Sequence, residues 1–210
     1  MKIPKWHVEY TGTLLVLFMV GLFLVPTSFE TPVMASNITK WKDIFRRLTY
    51  VQDVILKQEQ SEILTSFRRA TTPDERESIV IKIIKPYFRV GDKKVHSKYK
   101  VRYMNKKLVN EGDFYHIDDY YYAGKHLIVG IKDLPTKEDG ETSFLMTFDI
   151  NGRKRPNQWG KDVYGAKVYA DRVEPIGMTM TVEKQYTDCS KNGSGTCCSN
   201  YYLIGGNFDD

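Results

Sequence analysis

Residues 36–55 read SNITK WKDIF RRLTY VQDVI, and the spacing of the apolar side chains in that stretch decides the fold. Ile38, Trp41, Ile44, Phe45, Leu48, Val51 and Ile55 recur at intervals of three and four, so on a helix they form one apolar stripe. Lys40, Lys42, Asp43, Arg46 and Arg47 fall on the opposite face. Ser36 or Asn37 can cap the first turn, because a short polar side chain accepts from the unpaired N–H groups there. A helix with one apolar face must bury it against a second layer. The spacing therefore predicts a helix laid on a sheet, with the stripe as core, and Ile63, Leu64 and Phe67 extend the helical expectation to about Ala70.

Downstream, Thr72-Pro73-Asp74-Glu75 combines a capping hydroxyl, a proline at the first helical position and the acidic partner of a capping box. A second helix is expected from here to Lys85, ended by Pro86. Short strands follow, rich in Tyr, Phe, Val and Ile and separated by Gly, Asp and Lys. The clearest hairpin is Tyr120-Tyr121-Tyr122, a turn at Ala123-Gly124-Lys125, and His126 to Ile131. Residues 143–150 and 163–173 supply two more strands. Helices followed by an antiparallel sheet make an α+β layout.

Upstream, residues 10–26 read YTGTLLVLFMVGLFLVP with no charge inside. Ten Leu, Val and Phe side chains favour membrane insertion by roughly 3 to 6 kcal/mol in total. As a helix, this run spans about 25 Å, slightly less than a hydrocarbon core of about 30 Å, so Trp6 and Tyr10 are suited to the interface. Lys2 and Lys5 precede it, and the positive-inside rule keeps residues 1–9 cytoplasmic and sends residues 36–210 outward. A cleaved secretory signal is the alternative, with cleavage after Ala35 in Val33-Met34-Ala35. The ten residues between the apolar run and that point favour retention. In both cases the domain folds outside the cytoplasm, periplasmic or at the cell surface, where cysteines oxidise.

The whole chain, 210 residues, has room for one ordinary domain and an anchor. Apolar residues at 41 % and charged residues at 27 % suit a packed globular body and argue against wholesale disorder. The formal charge of +5 includes Lys2 and Lys5, which leaves the body mildly basic and does not call for nucleic acid as a partner. Phosphate-loop and dinucleotide fingerprints are absent from the sequence, and no helix is expected after Gly205-Gly206 to present an anion-binding N-terminus.

Three features together resemble the type IV pilin and type II secretion pseudopilin family. The first is the order of parts: basic start, hydrophobic helix, amphipathic continuation, sheet. The second is Phe148 to Tyr164, FDINGRKRPNQWGKDVY, which is similar to the strand-loop-strand signature Asp-x-Asn-Gly-x-Lys-Gly-Pro-Asn-x-x-Gly-x-Asp-x-Phe of many such subunits. The third is the run from Cys189 to Asp210, with spaced cysteines, an apolar stretch, two glycines and a final acidic pair. The resemblance implies a non-enzymatic subunit whose partners are other pilin-like or secretion-apparatus subunits and the membrane. It does not extend to the processing site: where the family carries Glu at the fifth mature position, Gly12 is followed by Thr13 to Leu17, with Leu17 in that place. An anchored or secreted binding or adhesion module with a pilin-like head is the alternative.

Asp149, Asn151, Asn157 and Asp162 offer the mixture of carboxylate and amide oxygens that Ca²⁺ seeks, and some pseudopilins hold calcium in a nearby loop. Arg153, Lys154 and Arg155 oppose a divalent ion by about 1 kcal/mol or more each at short range. The competing reading is a run of turns fixed by Asp, Asn, Gly and Pro. No other cofactor is expected. Of Cys189, Cys197 and Cys198, one pair can close a loop; Cys189 with Cys198 is preferred and Cys197 is the other candidate. Zinc is disfavoured, since no His lies within ligand spacing of the cysteines. His116 with Asp118 and Asp119 reads as a solvated strand face in place of an acid–base group, so no catalytic residue is assigned.

Overall fold

The computed structural model describes residues 30–57, 66, 69–96, 98–134, 143–169 and 171–207. The chain divides into two compact units, Met1–Val33 and Met34–Asp210. Of the first, only residues 30–33 are described, as the opening turn of a helix. The expected membrane segment, residues 10–26, lies outside the described residues, as do Ile63, Leu64 and Phe67. Among the described residues no helix is long and apolar enough to cross a membrane.

The second unit is α+β. Helix α1, Glu30–Lys57, begins six residues before the expected cap at Ser36. Pro32 does not prevent this, because a proline in the first turn lacks an N–H that would be unpaired anyway. Helix α2, Pro73–Phe88, has the predicted capping box, Thr72 accepting from Glu75 N–H and the Glu75 carboxylate accepting from Thr72 N–H. It runs past Pro86 instead of stopping there, and Arg89 closes it in the left-handed region at φ 52°. A proline in the last turn removes one backbone bond, too little to stop a helix whose Ile84 and Phe88 are buried.

The sheet is a six-stranded antiparallel meander whose order in space equals its order in the chain. Its strands are β1 Val90–Lys94, β2 Tyr120–Ala123, β3 Leu127–Leu134, β4 Ser143–Asp149, β5 Val163–Tyr169 and β6 Val173–Pro175. The register pairs Val129 with Phe148 and Ile131 with Met146, so these side chains share one face with Phe144, Tyr164 and Ala166. The α1 stripe packs there. Trp41 is buried, stacks on Tyr164 at 5.3 Å between ring centroids, and meets Phe148 at 6.1 Å. Met34, Ile44, Leu48 and Val51 are buried in the same cluster, and Ile38, Phe45 and Ile55 are partly buried against it.

All seven residues of β4 are buried, because its other face is covered too. That cover is the segment 95–119 between β1 and β2, whose described residues form no helix or strand of their own. Val101 and Val109 pack on Trp159 and Val163, while Ile117 packs with Leu134, Leu145 and Ile176. The segment is tied by backbone bonds distant in sequence: Arg102 N–H to Asn157 O at 2.9 Å, Trp159 N–H to Arg102 O at 2.9 Å and Met104 N–H to Ser194 O at 2.8 Å. Gly165 is required beneath this layer, since a Cβ there would stand 2.7 Å from the Trp159 ring. His116 thus lies in the covering segment and not on a hairpin arm, which begins at Tyr120.

Helices α3, Val182–Asp188, and α4, Cys198–Tyr201, complete the unit.

Candidate functional site

The loop from β4 to β5 brings together the four residues singled out as cation ligands. Asp149 and Asp162 are buried at the two strand ends, and Asn151 joins them: its N–H donates to Asp149 Oδ1 at 3.2 Å and its Nδ2 to Asp162 Oδ2 at 2.8 Å. Asp149 also accepts from Gly152 N–H at 2.9 Å and from the Tyr99 hydroxyl at 2.7 Å. Asp162 accepts from Asn157 N–H at 2.9 Å and Gln158 N–H at 2.5 Å. Gly152 takes φ 69° with its Cα against the β2–β3 turn, where a Cβ would stand 3.0 Å from His126 O. The Arg155–Pro156 bond is cis.

Six N–H and O–H groups therefore point at the four carboxylate oxygens. A Ca²⁺ ion needs six to eight oxygens at about 2.3–2.6 Å and would have to share the carboxylate oxygens with those donors. Asn151 Oδ1 and Asn157 Oδ1 are buried without partners, yet the groups around them present hydrogens to the carboxylates. Among the described residues no group of three or more His, Cys, Asp or Glu is placed to hold a metal ion. Through the Tyr99 hydroxyl the arrangement is also a latch that fastens the loop to the covering segment.

Burial dominates its electrostatics. Desolvation, followed by the nearby Asp162 carboxylate, pushes the Asp149 carboxyl up to about 8. Desolvation also raises Asp162, to about 6, against the pull of the donors from Gln158, Asn157 and Asn151. Tyr99 is held well above its ordinary value by the same burial and by Asp149.

The C-terminal segment locks the other side of this loop. Cys189 and Cys198 lie at disulfide distance with Cα atoms 5.4 Å apart, and Cys197 is a free, buried thiol. Residues next to the bridge fasten the unit: Ser199 O accepts from Trp41 Nε1 at 2.7 Å, Ser199 Oγ accepts from Gly165 N–H at 2.9 Å, and the buried Tyr202 hydroxyl donates to Gly160 O at 3.3 Å. Burial raises the Cys197 thiol to about 11, with Asp188 adding to the rise. Its N–H donates to Asp188 Oδ2 at 2.9 Å.

Sequence reasoning missed a third feature, an open cleft of about 770 Å³ along the covering segment, lined among others by His96, Tyr99, Lys100, Glu111, His116 and Asp118. Here His116 Nε2 meets Asp118 Oδ1 at 3.2 Å, and His96 Nδ1 accepts from Lys98 N–H at 3.2 Å. Nothing in the spacing of those residues announced the cleft, because the segment has no periodicity. Compared with known proteins, the chain matches no family model, and no curated protein or solved structure is significantly similar to it.

Proposed function

We propose that the chain is a non-enzymatic, pilin-like subunit of the cell envelope, anchored by residues 10–26, whose body works through contacts with other pilin-like or secretion-apparatus subunits. The observation that carries this reading is the surface around the disulfide. Met178, Met180, Val182, Tyr186 and Ile204 are each about half exposed and all lie between Met178 and Ile204. Val182 and Tyr186 sit four residues apart on α3, so they share a face, and the Tyr186 ring meets Tyr201 at 6.2 Å. Large apolar side chains gathered in water mark a protein-contact surface more often than a catalytic one. The bridge and the Trp41–Ser199 bond hold that surface rigidly against α1, which suits docking.

The order of parts also supports the family resemblance: a long helix across an antiparallel meander, a fastened strand-loop-strand, and a disulfide-closed end. The cleft beside Tyr99 and His116 favours the second reading, an anchored binding module. Affinity purification of the membrane-extracted chain separates the two. Co-purification with envelope-assembly subunits, lost in a Val182→Asp/Tyr186→Asp variant that keeps its disulfide, is the expected result. Retention of the same partners by that variant would remove the apolar surface from the account.

A further inference from the structure

The modest net charge of +5 conceals a cluster of cations, without ion-pair partners among the described residues, at one end of the sheet. At the end where β2 turns into β3 and β4 into β5, Arg89, Lys125, His126, Arg153, Lys154 and Arg155 are all exposed. The register gathers them. Val90 pairs with Ala123 and Ile128 with Asp149, Gly124 N–H donates to Arg89 O at 3.0 Å, and Gly152 abuts His126. Arg153 is braced, its Nε donating to the Tyr122 hydroxyl at 2.8 Å and its guanidinium lying 4.7 Å from the Tyr122 ring centroid. Among the described residues, no carboxylate forms an ion pair with these five Arg and Lys side chains. The carboxylates of the same loop, Asp149 and Asp162, are buried in the latch.

Toward the opposite end the acidic side chains are matched by cations. Asp119 pairs with Lys94 at the last residue of β1, Asp133 with Arg76 near the last residue of β3, and Asp171 and Glu174 with Arg172 beyond β5. Helix α1 begins its crossing at the basic end, where Asn37 Nδ2 donates to Lys161 O at 3.0 Å. The chain upstream is short. From Glu30 to Asn37 the helix rises about 10 Å, and the residues between Pro26 and Glu30 reach at most about 14 Å. Asn37 is thereby tethered within about 25 Å of the end of the apolar run.

We propose that this basic end is a docking surface for the anionic phospholipid headgroups of the bilayer that holds residues 10–26. The inference rests on the anchored reading above and adds to it an orientation: the basic end toward the membrane, the charge-paired end away. Lipid is favoured over other polyanions because the tether keeps that surface close to the end of the apolar run. Arginine forks match phosphate oxygens, and each Lys or Arg near an anionic surface strengthens association by about fivefold. Screening over about 8 Å at physiological salt makes the contact salt-sensitive.

The full chain reconstituted in nanodiscs of zwitterionic lipid, and of the same lipid with a third anionic phospholipid, tests this by amine labelling and mass spectrometry. Lys125 is the reporter, and Lys98, past the far end of β1, is the control. The expected result is labelling of Lys125 slowed about fivefold or more in anionic discs, restored by high salt and restored in a Lys154→Glu/Arg155→Glu variant, with Lys98 unchanged. Equal labelling of Lys125 in the two lipids overturns the proposal, and so does protection by an added polyanion but not by anionic lipid. Elution of the chain apart from zwitterionic discs would instead reject the anchor. Sedimentation of the chain with anionic vesicles then decides the surface by itself, and no binding there overturns the proposal too.

Discussion

Replacing Asp149 with asparagine removes a buried ionisable carboxyl and leaves the shape of the latch. The wild-type carboxyl is held up to about 8 by burial and by Asp162, against about 4 in an unfolded chain. The folded state therefore keeps a proton that the unfolded state has released, so Asp149 contributes stability that is fully present below about pH 4 and lost as pH rises through about 8. The whole difference sets a ceiling of about 5 kcal/mol. Coupling to Asp162 and the three donors aimed at Asp149 reduce the expected loss between pH 5 and pH 8 to about 2 kcal/mol. The substituted amide can accept from the Asn151 and Gly152 N–H groups as the acid does, and the Tyr99 hydroxyl can turn to accept from its NH₂ group. Urea unfolding of the oxidised chain in micelles, followed by tryptophan fluorescence, should show wild-type stability falling over that window. The Asp149→Asn profile should be flatter, with the variant at least as stable as wild type at pH 8. Equal slopes in the two proteins would refute the burial argument.

Trp41→Phe leaves Ser199 O without its 2.7 Å donor and thins the contact with Tyr164, so it should cost about 2–3 kcal/mol, measured by the same unfolding. Reduction, or Cys189→Ser, opens a loop closed across nine positions and should lower stability by about 2–3 kcal/mol; Cys197→Ser should leave the bridge intact in a non-reducing peptide map. Millimolar Ca²⁺ or a chelator should move the thermal midpoint by less than about 1 °C at pH 8, because six N–H and O–H donors already compete for the latch's carboxylate oxygens. A stabilisation of several degrees that disappears in Asp162→Asn would restore the calcium reading.

The elements legible in the sequence were those with a period. The stripe from Ile38 to Ile55 announced α1 and the face it buries, and Thr72 to Glu75 announced the start of α2. Runs of apolar residues marked β3 and β4, whereas the single strand expected over 163–173 is two antiparallel strands, β5 and β6. Boundaries were weaker, because Pro32 and Pro86 occupy terminal turns where a proline is tolerated. The segment 95–119 was illegible for a different reason. Its apolar residues Val101, Met104, Val109 and Ile117 stand among lysines without rhythm, and its bonds go to Asn157, Trp159 and Ser194, far along the chain. The same distance hid the latch. Asp149, Asn151, Asn157 and Asp162 were visible as a cluster, either of turns or of cation ligands, but Tyr99, which joins them, lies fifty positions upstream. Net charge concealed the basic end because only the fold decides which cations are matched by carboxylates and which are left together.

The claim on which the functional account stands is that the body of this chain matures outside the cytoplasm while still held by residues 10–26. Peptide mapping of the chain from the membrane fraction, alkylated without reduction, tests it most directly. The account predicts an uncleaved N-terminal peptide, Cys189 linked to Cys198 and Cys197 alone alkylated. Recovery of the chain from the soluble cytoplasmic fraction with all three cysteines alkylated would contradict it.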